Sequence, residues 1–202
     1  MAYSDFTLEE IENKFGIIIR FDYLQFDIDE MEPSDSLKKD LKIAKDLPVV
    51  SEKAKSEWIV VPILRELLER NDNFFTIYSG DNLNADSEQG LKGECDFILT
   101  KNVGTVSINY PIIQIVEAKK NDIELGIAQC AAQIIGAKVY NQKKGTDIKK
   151  IYGCVTNGDN WLFMKLEGDT IYADKNKYGL LKLPQLLGVF QNIIDYYKEH
   201  LN

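Results

Sequence analysis

Two short stretches carry the groups best suited to chemistry. Ile112-Ile113-Gln114-Ile115-Val116-Glu117-Ala118-Lys119-Lys120 is an apolar run that ends in a carboxylate, Glu117, two residues before an amine, Lys119. Upstream, Cys95-Asp96-Phe97-Ile98-Leu99 is a second apolar run with one acid, Asp96, near its start. Side chains alternate along a strand, so Glu117 and Lys119 leave the same face. Two carboxylates and an ammonium at the ends of neighbouring strands suit a hard divalent cation beside a positioned positive charge. Metal-assisted cleavage of a phosphodiester uses that combination.

The elements that must hold these groups follow from periodicity and punctuation. Thr7-Leu8-Glu9-Glu10 has the capping-box pattern and predicts a short helix ended by Phe15-Gly16. Ile17 to Phe21 reads as a short strand or buried connector. Ser36 to Asp46 is amphipathic, with Leu37, Leu41 and Ile43 inward. Ser51 opens a further helix whose apolar stripe runs through Ala54, Trp58, Val61, Leu64 and Leu68. Glu57 falls on that stripe and would need a partner there, unless a kink at Pro62 turns it to solvent. Phe74 to Tyr78, Cys95 to Thr100 and Ile112 to Ala118 predict three strands, with a polar loop over Ser79 to Gly93. A helix rich in small residues follows from about Ile123 to Tyr140, with Gln129, Ala132, Gln133 and Gly136 on one flank. Ile151 to Thr156 and Trp161 to Leu166 flank an Asn157-Gly158 turn and predict a hairpin. Thr170 to Tyr172 and a closing helix, Leu183 to His200, complete the chain. This order predicts an α/β fold, one mixed sheet flanked by helices. Residues 1–50 read as a helical extension packed on a core domain of residues 51–202.

Composition excludes several classes of function. The chain has 202 residues and a formal charge of −8, which argues against broad charge-driven binding of nucleic acid. A lysine cluster, Lys138, Lys143, Lys144, Lys149 and Lys150, offers either a phosphate-contacting rim or an ordinary solvated helix end. The one histidine, His200, lies two residues from the C-terminus, which argues against a histidine-based triad and leaves too few histidines for zinc sites built on several. No glycine-rich phosphate loop is present. No apolar run approaches the roughly 20 residues that span a bilayer, so no membrane partner is expected. The N-terminus lacks the pattern of a signal peptide. Cys95, Cys130 and Cys154 show no metal-ligand spacing and read as buried free thiols, which points to the cytoplasm.

The ordered set resembles the PD-(D/E)XK nuclease superfamily, whose restriction-endonuclease-like core runs helix, three strands, helix, strand. Asp96 matches the first motif acid and Glu117-Ala118-Lys119 the E-X-K element. Glu57 matches the acid often found on the first core helix, and Gln129 the glutamine on the helix after E-X-K. Tyr152 to Gly158, with Trp161 and Phe163, looks like the later strands of one branch, the N-terminal nuclease domain of type I restriction-enzyme R subunits. The resemblance covers roughly Ser51 to Leu166. Cys95 stands where the signature proline would be.

The resemblance implies a metal-dependent deoxyribonuclease acting in restriction, defence or repair. Asp96, Glu117 and the Ala118 carbonyl would hold Mg²⁺ or Mn²⁺. Glu57 would take a second metal or a metal-bound water. Lys119 would orient or deprotonate the attacking water, and Gln129 would position Lys119, a phosphate oxygen or the water. DNA is the expected partner; a homodimer and a protein partner that supplies specificity are allowed by the sequence but not required by it. Each residue alone also has a plain structural role: Glu117 and Lys119 as an ion pair at the edge of the sheet, Asp96 as a strand-end acid. Lys120 belongs on the face opposite Lys119, Glu94 is an accessory acid, Gln133 a packing residue, and Trp58 and Trp161 core anchors. Two other functions stay open, both favoured by the acidic charge. One is a nuclease-fold protein that binds or regulates without cutting. The other is an acidic component that binds a basic protein.

Overall fold

The computed structural model describes residues 1–101 and 105–201. Its strands are β1 Ile18–Asp22, β2 Thr76–Asn82, β3 Glu94–Thr100, β4 Ile112–Ala118, β5 Lys150–Thr156, β6 Asn160–Glu167, β7 Thr170–Asp174 and β8 Tyr178–Gly179. Its α-helices are α1 Leu8–Phe15, α2 Asp35–Asp46, α3 Glu52–Lys55, α4 Val61–Arg70, α5 Ile127–Lys143 and α6 Leu183–His200. The strands form one mixed sheet in the order β1-β7-β6-β5-β4-β3-β2, with β8 paired to β6. β4 and β5 run parallel, as do β1 and β7; the other pairs are antiparallel.

Helices cover both faces. Ile11 of α1 and Ala131 and Ile134 of α5 pack with Ile98, Ile115 and Val155 of the sheet. On the other side Leu37 of α2, Leu64 of α4 and Phe190 of α6 pack with Phe97, Val116 and Phe163. That explains why β4 shows no apolar–polar alternation: all seven of its residues are buried, Gln114 and Glu117 among them. Helix α5 supplies the crossover that a parallel β4–β5 pair requires. Its small residues serve close approach. A Cβ on Gly136 would lie 2.2 Å from the Tyr3 hydroxyl oxygen, so the glycine admits the N-terminal tyrosine.

Several expectations hold in detail. Thr7 and Glu10 form the capping box, and Gly16 ends α1 in the left-handed region at φ 64°. Gly158 turns the β5–β6 hairpin at φ 85°. The three cysteines are free and buried. Among the described residues no helix is long and apolar enough to cross a membrane.

Other expectations need correction. Residues 1–50 do more than add helices: β1 extends the sheet at its edge, and Tyr3, Leu37 and Leu41 enter the two cores. The outward amide of Ile19 on that edge strand donates to the Glu12 carboxylate (3.0 Å), which blunts the edge. In α2 the inward residue is Ala44, whereas Ile43 is exposed. The polar stretch after Tyr78 is not one loop. β2 continues to Asn82, and Leu83, Ala85 and Leu91 are buried.

The largest correction lies before Pro62. Ser56–Val60 forms a π turn, in which the Val61 amide donates to the Ser56 carbonyl five residues back. The wide turn accommodates a proline that has no N–H of its own and crowds the preceding carbonyls. It also adds a residue to the helical phase. Ile59, Val60, Ile63 and Leu67 are therefore buried, while Trp58 and Val61 are exposed. Trp58 is no core anchor; Trp161 is, with its side chain fully buried.

Candidate active site

The strands β3 and β4 stay paired through Phe97 and Val116 and then part. At the parting the Asp96 carboxylate replaces a backbone partner: its Oδ2 accepts from the Ala118 amide at 2.7 Å. Asp96 is thereby tied to the residue between Glu117 and Lys119. On the other side the Lys119 amide donates to the Thr156 carbonyl of β5 at 2.7 Å, so the parallel ladder holds the lysine backbone.

The strand parity of Glu117 and Lys119 is met. The Lys119 ammonium donates to Glu117 Oε1 at 2.5 Å and to Gln129 Oε1 at 3.1 Å. Gln133, one turn further along α5, donates from Nε2 to Glu117 Oε2 at 2.7 Å. The two glutamines thus grip the lysine and the glutamate from one helix flank. Gly126 leaves room for the lysine stem, since a Cβ there would lie 2.5 Å from Val155 Cγ1 and 3.1 Å from Lys119 Cγ.

These groups are electrostatically strained. Burial raises the pKa of Glu117, the nearby Asp96 charge raises it further, and Lys119 and Gln133 pull it back only to about 7. Burial also raises Asp96, against the Ala118 hydrogen bond and Lys119, with Glu52 and Glu94 adding to the rise. Burial works against the charge on Lys119, but Glu117, Glu52 and Asp96 more than offset it, and its pKa is raised. Negative charge is in excess here: one lysine faces several carboxylates.

The structure brings Asp96, Glu117, Ala118, Lys119 and Gln129 together. It does not turn Glu57 inward. Glu57 lies in the π turn, is exposed, and faces Lys53 at 3.8 Å. It lines an acidic cleft of about 400 Å³ together with Glu52, Glu94 and Asp96. The acid from this helix whose charge bears on both Asp96 and Lys119 is Glu52. Sequence reasoning missed Glu52 because an acid in the first turn of a helix already has an ordinary role at the positive end of the dipole. It also missed Gln133, whose spacing of four from Gln129 was the available signal. Lys120 is exposed. Glu52→Ala is expected to lower the pKa of Asp96, because it removes one of the charges that raise it. Glu57→Ala is expected to leave it nearly unchanged, because Glu57 is exposed and faces Lys53. An NMR titration of the Asp96 carboxyl in the two variants checks this directly.

Among the described residues no three His, Cys, Asp or Glu side chains are grouped to hold a metal ion by themselves. Asp96 and Glu117 nonetheless fit a cation such as Mg²⁺, which takes one or two carboxylates and keeps water for the rest of its shell. Burial raises both pKa values and the Asp96 charge adds to the rise at Glu117; a cation held between them would favour the ionised forms. The Ala118 carbonyl is a further hard oxygen on the same strand end. No family model, curated protein or solved structure matches the chain.

Proposed function

We propose that the chain is a metal-dependent nuclease that hydrolyses phosphodiester bonds of DNA, built on a restriction-endonuclease-like core of the PD-(D/E)XK type. The observation that carries this reading is the meeting of Asp96, Glu117 and Lys119 at one parting of strands, with Gln129 on the lysine. A divalent cation at Asp96 and Glu117 would polarise the scissile phosphate. Lys119, its pKa raised by Glu117, Glu52 and Asp96, is suited to donate to a phosphate oxygen or water. Gln129 fixes the ammonium in place, and Gln133 fixes the second oxygen of Glu117. The test is incubation of plasmid and single-stranded DNA with the protein in Mg²⁺ or Mn²⁺. Cleavage by the wild type that Lys119→Ala loses supports the reading; equal cleavage by both variants, or none, counts against it.

Metal affinity should depend on pH with a defined sign. A proton on Glu117 competes with the cation, and its pKa is about 7. Affinity for Mg²⁺ measured by calorimetry is expected to rise as pH increases through 7 and to level off above it. Glu117→Gln should remove most of the binding and its pH dependence together.

A second reading is a nuclease-like fold that binds without cutting. One observation favours it: both Glu117 oxygens already have partners, Lys119 and Gln133, so a cation must compete for them. Metal binding without cleavage would select it.

A further inference from the structure

We propose that the groove between α2, the 47–50 segment and residues 179–183 seats a short helical segment of a partner protein, aliphatic on its buried face and acidic along its flank. Two adjoining cavities form the groove, of about 630 Å³ and 220 Å³, and they share Leu41, Lys45 and Leu180. The floor is aliphatic, with Ile59, Val49 and Leu180 among the lining residues. The lips are aliphatic and open to solvent: Leu181 is 99% exposed and Val50 70%. The combined volume has room for two or three aliphatic side chains of the kind a helix presents at i, i+3 or i+4 and i+7.

Charge identifies the partner further. Lys38, Lys42 and Lys45 stand at spacings of four and three on α2, so they share one helix face, and all three line the groove. Among the described residues Lys42 and Lys45 form no ion pair, and Lys38 reaches only Glu32 at 3.8 Å. The one carboxylate among the lining residues, Asp159, already faces Lys55 at 3.8 Å. A basic, aliphatic groove on a chain of charge −8 is complementary to an acidic segment.

Two other occupants fit less well. No aromatic ring lines the groove, so a nucleobase finds nothing to stack on. A second copy docking by two-fold symmetry would set the α2 lysines of one copy against those of the other.

The groove is also joined to the candidate active site. Lys55 lines it and donates to the Lys120 carbonyl at 2.8 Å, next to Lys119. Helix α3, which carries Lys55, also carries Glu52. A segment seated here therefore presses on the helix that brings an acid to the cleft. The docking inference itself does not depend on the nuclease reading.

The test is selection of a random helical-peptide library displayed on phage against the full chain. Enriched peptides, synthesised and titrated by calorimetry, are then compared on two variants, Val50→Glu/Leu181→Glu and Lys42→Glu/Lys45→Glu. All four positions are exposed, and denaturation curves verify that both variants fold. The expected result is enrichment of aliphatic residues at helical spacing beside Asp and Glu. Affinity should drop at least tenfold on each variant. Recovery of no binders, absence of an acidic excess, or unchanged affinity on the variants overturns the proposal. So does a wild-type dimer in sedimentation that Val50→Glu/Leu181→Glu dissociates, or displacement of the peptide by a single-stranded oligonucleotide.

Discussion

On the nuclease reading proposed above, Lys119→Ala is expected to lower metal-dependent cleavage by about 10²–10³-fold, the usual cost of removing one preorganised charge from a reacting centre. The substitution also removes the cation that holds the Glu117 pKa down to about 7. The pH dependence of stability then supplies a second readout that needs no substrate. Glu117 takes its proton more readily in the folded chain than at its ordinary value of 4.5. Its contribution to stability is therefore full below about pH 4.5 and is lost as pH rises through about 7. In Lys119→Ala that loss should extend to higher pH, and in Glu117→Gln it should vanish. Denaturant melts at a series of pH values, referenced to Glu117→Gln, separate this effect from that of other groups. A Lys119→Ala protein with wild-type cleavage would remove the lysine from the chemistry. A wild-type melt with no dependence through that window would remove the strain from Glu117.

Trp161→Ala is expected to cost about 3–5 kcal/mol, the range for truncating a large aromatic side chain in a core. Trp161 is fully buried, meets Phe190 edge-on at 5.5 Å, and donates from its indole N–H to the Gly158 carbonyl at 3.3 Å. It also pairs across the hairpin with Thr156, whose carbonyl holds the Lys119 backbone. Its loss should lower the melting temperature by about 6–20 °C and loosen the floor under the lysine. Thermal melts measure the first effect. Activity well below the melting transition measures the second.

The central elements are legible because their signals are local. A run such as that of β4 has few fates other than a strand covered on both faces, and its two-residue period places Glu117 and Lys119 together. The Asn157-Gly158 turn and the Thr7 capping box are read directly from side-chain chemistry. Less legible is whatever depends on tertiary arrangement. Gln133 looks like packing within a helix of small residues. Only the placement of α5 over β4 shows that it grips Glu117. Ile17 to Phe21 could join a sheet or merely connect, and the parallel partner that decides between them, β7, lies about 150 residues away. A regular helical phase puts Trp58 and Glu57 on the inward stripe, and the chain does not keep that phase.

That irregular turn has a consequence for how the protein can change. Deleting one codon between Ser56 and Val60 would restore an unbroken coil of backbone while α4 stays seated. Everything ahead of it would rotate by roughly 100°. Glu52 would swing out of the cleft without a single substitution at Asp96, Glu117 or Lys119. The reach of that acid is set by spacer length, so insertions and deletions, more than point changes, are the natural dial for its contribution.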